Sequence, residues 1–217
     1  SEAYIFPEAV DYASYQGYTQ HFYPIGFSQD GEHFAYIKIN ENGGCGTCNM
    51  ELRIQNLRTD EVAHTLSLTQ EVMEQDPYEI WEASYADIHA FLKKHNIKQT
   101  MMPGGIHEGN TIAFGSEEVS IRIDSTVGLS DWRPDEEEAI KTFDVIAEHN
   151  SGSKAVTLHT AKDVEYYDYE AVEISGWDIG PNGMAYFVIA YLFHGYESET
   201  TIDYLIVGCD LDVEHYR

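Results

Sequence analysis

Two cysteines separated by two residues are the most specific chemical feature of the sequence. Cys45 and Cys48 have the spacing of a thiol–disulfide oxidoreductase, in which a helix N-terminus lowers the pKa of the reactive thiol. Here a turn-like run at residues 41–44 precedes the pair and a predicted strand follows it, so the required helix is missing. In an oxidising compartment we expect a structural disulfide between Cys45 and Cys48, and redox catalysis is the less favoured alternative.

The third cysteine leaves other arrangements open. We expect Cys209 to be a buried thiol in a strand, but a rearranged disulfide would join it to Cys45 or Cys48. A structural zinc site needs four ligands, and these three cysteines with one of the ten histidines would supply them. Because the sequence has no second Cys-x-x-Cys and no His-x3-His, the cysteines are only candidate ligands, and we predict no metal and no cofactor.

Hydrolytic chemistry has no clear motif. The sequence contains neither a His-Glu-x-x-His pattern nor a Gly-x-Ser-x-Gly elbow. The 38 acidic residues make a pair of catalytic carboxylates easy to supply, but such a pair must face one cleft. We therefore predict no catalytic residue, and a hydrolase that uses acidic residues is the enzymatic alternative.

Acidic residues outnumber Lys and Arg by 38 to 12, which gives a formal net charge of -26. A field of this sign repels the phosphates of nucleic acids and anionic lipids, so we exclude both as main partners. The acids are scattered, with short clusters at residues 135–138 and 163–170, and this distribution favours a solvated surface over a designed cation site. Cations at the acidic surface remain the alternative.

The elements that must position these residues are mostly strands. Alternating Tyr, Val, Ile and Phe, bounded by Gly, Asn and Asp, are typical of strands, and the short turns between them predict antiparallel hairpins. The predicted strands are residues 21–28, 33–40, 50–57, 62–68, 111–114, 119–125, 142–148, 154–161, 166–177, 184–193 and 201–209. The apolar run at 184–193 is about half as long as a membrane span, so we expect no membrane insertion.

One helix is predicted over residues 77–96. Asp76 can accept hydrogen bonds from the first-turn amides, Pro77 suits the first helical position, and Glu79 can complete a capping box. Apolar residues then recur at helical spacing, and we expect them to pack against a sheet. They are Ile80, Trp81, Tyr85, Ile88, Phe91 and Leu92.

Residues 26–37 and 176–187 look alike. Each has Gly followed by an aromatic residue, then a turn that ends in Gly, then Ala-Tyr and an apolar residue. We interpret the pair as a duplicated β-hairpin unit. The sequence therefore predicts a single α+β domain, predominantly antiparallel β, in which pseudosymmetric lobes at about 15–75 and 140–211 are joined by the helix 77–96 and a hairpin at 110–125.

The first motif, Gly-Phe-Ser-x-Asp-Gly followed by Phe-Ala-Tyr, resembles the repeats of Tol-type and peptidase-type propellers. The two copies lie about 150 residues apart, which disfavours a regular propeller. With the cysteine hairpin, residues 92–97 and residues 176–211, the motif resembles uncharacterised families of predicted secreted or periplasmic bacterial proteins. This resemblance implies export and a non-enzymatic default, and it implies no site residues.

We therefore expect an exported bacterial protein, periplasmic or secreted, that acts as a non-enzymatic binding or structural module. The start at Ser1, without an initiator Met, suggests a removed leader or a trimmed chain. The sixteen tyrosines suit a protein, peptide or glycan ligand, because Tyr offers a flat contact with a hydroxyl group. The loops at residues 41–49 and 195–200 are expected to present the variable surface.

Overall fold

The computed structural model describes residues 3–10, 18–19, 22–41, 48–68, 76–100, 106–115, 117–129, 138–150, 155–161, 169–194 and 200–212. Within these ranges the chain forms strands β1 (Tyr18–Thr19), β2 (Phe22–Ser28), β3 (His33–Glu41), β4 (Cys48–Asn56), β5 (Val62–Ser67), helices α1 (Pro77–Ala83) and α2 (Tyr85–Lys94), and strands β6 (Ile97–Gln99), β7 (Thr111–Phe114), β8 (Glu117–Leu129), β9 (Glu138–His149), β10 (Ala155–Ala161), β11 (Tyr169–Ile179), β12 (Met184–His194) and β13 (Thr200–Asp210). The predicted α+β, mainly antiparallel class is confirmed.

The strands form two sheets. Sheet I has the order β5-β4-β3-β2-β6, and all of its neighbours are antiparallel. Sheet II has the order β1-β13-β12-β11-β9-β8-β7, with β10 also paired to β9. Only the two-residue β1 pairs in parallel, with β13. Consecutive strands that pair with each other are joined by two to eight residues, which explains this arrangement, because parallel neighbours need a crossover of a dozen or more residues.

The two sheets pack face to face, and their central strands are buried on both sides. In β3, Phe34 and Tyr36 enter the core between the sheets, while Ala35 and Ile37 face the helices. In β12, Tyr186 likewise meets sheet I, and its neighbours point to the other side of sheet II. The rings of Phe34 and Tyr186 stack with centroids 3.9 Å apart. Burial on both faces explains why residues 184–193 are almost continuously apolar.

A third core lies on the far side of sheet II. There the apolar side chains of β8 and β9 join those of β12 and β13 in one cluster, for example Ile121, Val145, Phe187 and Val207. Among the residues that the structure describes, strand β11 pairs with β9 only where Tyr169 lies opposite Ile140. The two parts of sheet II therefore share one core beyond this single bridge.

The predicted helix is present but is divided at Ser84. Asp76 caps its start, accepting a hydrogen bond from the Tyr78 N–H at 2.9 Å, as predicted. The predicted apolar stripe packs on sheet I, with Trp81, Ile88 and Leu92 fully buried. Ser84 ends α1 and begins α2 with a φ of -101° and a ψ of 7°, outside the helical range. Ser has a weak intrinsic preference for helix interiors, which explains the break at this position.

The hairpin duplication recurs in the backbone. Gly26 and Gly176 each lie at a β-bulge, with a φ of +156° and +159° respectively. A short antiparallel segment runs beside each glycine: Gly26 pairs with Gln99 of β6, and Trp177, next to Gly176, forms a bridge with His107. A Cβ at either glycine would collide with a carbonyl oxygen of that segment. Each hairpin is followed by a third strand, and a leucine comes directly after that strand. The Leu57 and Leu211 amides both donate to a residue of their own hairpin turn.

The two hairpin turns also touch each other. Gly31 and Gly183 share a φ of +75°, and a Cβ at Gly31 would collide with the carbonyl oxygen of Pro181. The Asn182 side-chain amide donates to the carbonyl oxygen of Asp30 at 2.9 Å. Both turns therefore need glycine for the backbone conformation, and Gly31 needs it also because the other turn approaches closely.

Candidate functional site

The predicted cysteine pair lies mostly outside the described residues. Cys45 is not described, and Cys48 is described only as the first backbone position of β4, opposite Glu41. The predicted disulfide and the redox alternative therefore stay predictions. The acidic run 163–168 and most residues of the predicted variable loops, 42–47 and 195–199, also lie outside the described residues.

Cys209 lies in β13 and is 1% exposed. Its side chain belongs to the core on the far side of sheet II, with Val207 and Leu211 as neighbours in that core. Sheet II itself therefore separates this thiol from sheet I, where β4 begins with Cys48. This placement supports the expected buried thiol over a disulfide between Cys209 and Cys48.

A cavity of about 510 Å³ opens on the helix-facing side of sheet I. We call it the histidine pocket, because three of the ten histidines line it. Its lining residues are Ser28, Gln29, Asp30, His33, Ile54, His64, Lys94, His95 and Asn96. They come from the end of β2, the start of β3 and the turn between them, from β4 and β5, and from the end of α2, so the fold brings residues that are distant in the sequence together in the pocket.

The β2–β3 turn builds one wall of the pocket and fixes its carboxylate. Ser28 Oγ donates to Asp30 Oδ1 at 2.5 Å, and the Glu32 N–H donates to the same oxygen at 3.1 Å. These bonds, the Ser28 bond foremost, hold the pKa of Asp30 below its usual value. Ser28 Oγ also accepts from the His33 N–H at 3.0 Å. The serine is thereby committed to the turn and is not placed as a nucleophile.

The opposite wall is the end of α2. Lys94 is the last residue of the helix, His95 caps it, and Asn96 takes a φ of +53° that redirects the chain into β6. The His95 ring lies 4.0 Å from the ring of His64 and 5.0 Å from the ring of Phe91, measured between centroids. Partial burial lowers the pKa of His95, and the nearby His64, Lys94 and His33 lower it further.

The pocket inverts the charge balance of the chain. Four of its lining side chains are basic, namely the three histidines and Lys94, and one is acidic. In the whole chain, acids outnumber Lys, Arg and His together by 38 to 22. With Asp30 as its single carboxylate, the pocket does not supply the facing acid pair that the hydrolase alternative needs.

A metal site is not formed by the part of the chain that the structure describes. Among those residues, no group of three or more His, Cys, Asp or Glu side chains is arranged to hold an ion. The rings of His64 and His95 are tilted by 35° to each other, and the described residues around them supply no third ligand in a suitable position. The chemistry that the pocket can offer is thus hydrogen bonding and positive charge.

A second polar cluster joins the two sheets. Lys38 of β3 forms an ion pair with Asp203 of β13, with Nζ and Oδ1 2.6 Å apart, and both side chains are largely buried. The Tyr191 hydroxyl donates to the other oxygen of Asp203 at 2.8 Å. All three groups have found partners in the fold, so this cluster holds the sheets together and does not offer an open site.

The sequence did not single out the histidine pocket. His33, His64 and His95 follow one another at intervals of 31 residues and belong to three different elements, so they form no local motif. Only the order of β3, β4 and β5 in sheet I and the docking of α2 bring them together. A correct strand pairing, not a spacing pattern, is the signal that could have found them.

Comparison of the chain with protein-family models, with curated proteins and with solved structures found no match. The resemblance drawn from the hairpin motifs therefore stays a prediction. Among the described residues, no helix is long and apolar enough to cross a membrane.

Proposed function

We propose that the protein is an exported, non-enzymatic binding module whose histidine pocket holds the anionic group of a small ligand. The observation that carries the proposal is the concentration of His33, His64, His95 and Lys94 around one cavity of a strongly acidic chain. A cavity of about 510 Å³ is within the usual size range of small-molecule sites.

Lys94 supplies a permanent positive charge at the rim of the pocket, and each imidazole supplies a positive charge only when it is protonated. A bound anion stabilises the protonated form of a nearby histidine, so the pocket takes up protons when the ligand binds. Burial and the nearby positive groups lower the pKa of His95, and the charge of a bound anion would act in the opposite direction. Binding should therefore strengthen as the pH falls through the range in which histidine titrates.

The carboxylate of Asp30 repels an anion, but it also selects among anionic ligands, because it can accept a hydrogen bond from them. Its carboxylate already accepts from Ser28 Oγ and from the Glu32 N–H, so part of its charge is neutralised by the turn. The remaining lone pairs suit a donor, such as a hydroxyl group, on a ligand whose anionic group faces Lys94. Gln29 and Asn96 provide further amide groups for such a ligand. Small acids that also carry hydroxyl groups are the ligand class that fits this set.

Export and the absence of catalysis remain parts of the proposal. Export rests on the resemblance of the first hairpin to predicted secreted and periplasmic families. The binding role, rather than hydrolysis, is supported by the single carboxylate of the pocket and by the engagement of Ser28 within its turn.

Calorimetric titration with sulfate tests this function, because sulfate keeps its charge across the range in which histidine titrates. We expect sulfate to bind more tightly near pH 5.5 than near pH 8, by several-fold, since histidine titrates near pH 6.5. His95→Gln and His64→Gln should each weaken binding at the lower pH and flatten its pH dependence.

His89→Gln is the matched control, because His89 lies on the same helix as the pocket residues but outside the pocket, beside Tyr4 and Tyr85. It should bind sulfate like the unaltered protein. Equal losses in the His95 and His89 variants, or no sulfate binding at either pH, would contradict the proposal.

A further inference from the structure

Strand β5 forms an open edge of sheet I. It pairs with β4, and no other described strand lies on its outer side. The other edge of this sheet is covered. There the Ile5 N–H donates to the side chain of Gln99 at 2.9 Å, and Gln99 Nε2 donates back to the Ile5 carbonyl oxygen at 2.7 Å.

The register of β5 shows which backbone groups point outward. The Leu68 N–H donates to the Met50 carbonyl oxygen at 2.9 Å, and Glu51 lies opposite Ser67. In an antiparallel pair, hydrogen-bonded positions alternate with positions whose backbone groups point away from the partner. Thr65 and Ser67 therefore direct their N–H and C=O groups away from β4, towards the open edge.

The side chains of β5 leave this edge unprotected. All of its six residues except Leu66 are exposed. The strand reads Val-Ala-His-Thr-Leu-Ser, with no Lys, Arg, Asp or Glu and no proline, which are the residues that proteins commonly use to block an edge. A register shift beside Ala63 lies near its start and leaves residues 64–67 in regular pairing.

We propose that β5 accepts an extended, cationic peptide as an added strand of sheet I. Backbone hydrogen bonds to Thr65 and Ser67 would give the affinity, as in other cases of strand addition. The net charge of -26 selects the occupant, because it attracts a basic chain and repels a second copy of this one. His64 of β5 also lines the histidine pocket, but the added strand would use the outward backbone groups of Thr65 and Ser67, so the peptide-binding role does not depend on anion binding.

Two substitutions of Thr65 distinguish the contribution of its backbone N–H to peptide binding from that of its side chain. Thr65→Pro removes the outward N–H without removing a bond to β4, and proline is tolerated at such edge positions. Thr65→Val keeps the N–H and alters the side chain alone, so it is the matched control. The probes are fluorescently labelled seven-residue peptides that alternate Lys with Val or Glu with Val, measured by anisotropy at low salt.

We expect the Lys-Val peptide to bind, the Glu-Val peptide not to bind, and Thr65→Pro to weaken binding by roughly 5- to 10-fold, as for loss of one hydrogen bond. Thr65→Val should bind like the unaltered protein. Thermal unfolding confirms that both variants fold. If Thr65→Pro does not fold, a Lys-Val peptide with alternate N-methylated amides should lose binding to the unaltered protein.

Three results would overturn the inference. They are equal binding of the two peptides, equal affinity of the Thr65→Pro and Thr65→Val variants for the Lys-Val peptide, and a sedimentation profile in which the unaltered protein is a dimer that Thr65→Pro dissociates. The last would identify a second copy as the occupant of the edge. Sulfate binding should be unchanged in both variants, so failure here and failure of the anion pocket are distinguishable.

Discussion

A buried carboxylate illustrates how the fold sets the chemistry of single residues. Asp60 lies in the loop after β4, and its Oδ1 accepts a hydrogen bond from the Gly208 N–H at 2.7 Å. Burial raises the pKa of Asp60 to about 6, although the bonds from Gly208 and Gln55 act in the opposite direction. This carboxyl therefore binds its proton more tightly in the folded protein than in the unfolded chain. The folded state is accordingly penalised when the group ionises.

Asp60→Asn should stabilise the protein near pH 7 and have little effect near pH 4. In the unaltered protein, stability falls as the pH rises from the unfolded pKa near 3.8 towards about 6, because the folded state holds the extra proton. Asn removes the ionisable group, keeps an acceptor for the Gly208 N–H, and suits the φ of +59° at this position. We expect a gain of roughly 1 to 3 kcal/mol near neutral pH from urea unfolding.

Asp212→Asn, which alters an exposed aspartate near the end of the described chain, is the control and should change stability little at either pH. A loss of stability near pH 7 in Asp60→Asn would show that the ionised carboxylate is needed by the fold.

At the scale of elements, the duplicated hairpins depend on two bulge glycines. Gly26 of β2 lies against β6, where a Cβ would collide with the carbonyl oxygen of Lys98 and approach the Thr100 amide nitrogen within 2.7 Å. The obstacle is backbone on both sides, so neither neighbour can move aside as a flexible side chain would. Local packing, and not only the positive φ of +156°, therefore excludes other residues at this position.

Gly26→Ala should destabilise the protein by roughly 3 kcal/mol or more, as overpacking adds to backbone strain. Gly109→Ala separates these causes, because Gly109 also has a positive φ, +97°, but a Cβ there would meet nothing within 4 Å. It should cost roughly 1 kcal/mol. Denaturant unfolding of the two variants provides the comparison, and equal losses would mean that the contact with β6 is unimportant.

Local patterns in the sequence were sufficient to predict most elements. Alternation and turn residues placed eleven strands close to their observed bounds, and the Asp76–Pro77 start located the helix. The two-residue β1 and the three-residue β6 were missed because strands so short carry no periodic pattern. The break at Ser84 was missed because the apolar stripe continues across it.

The histidine pocket could not be predicted in the same way. Its residues are brought together by long-range pairing within sheet I and by the docking of α2, and neither is encoded in the spacing of residues along the chain. The buried state of Cys209, in contrast, followed from its place in an apolar strand. Features within one element were thus predictable, and features between elements were not.

At the scale of the whole molecule, the basic side chains of the pocket contrast with the negative net charge of the chain. The chain has a net charge of -26, and the pocket gathers three histidines and Lys94 around one carboxylate. The field of the whole protein opposes the approach of an anion, so the pocket must supply enough local positive charge to overcome it. Protonation of the histidines provides that charge, which makes proton uptake the central physical requirement of the proposed function.

The most direct measurement is the pH titration of the histidine ring protons by NMR, with sulfate and without it. We predict that sulfate raises the pKa of His95, because the anion favours its charged form, and leaves the titration of His89 unchanged. A titration of His95 that is the same in both solutions, or a shift of equal size at His89, would show that the pocket does not bind an anion and would contradict the account.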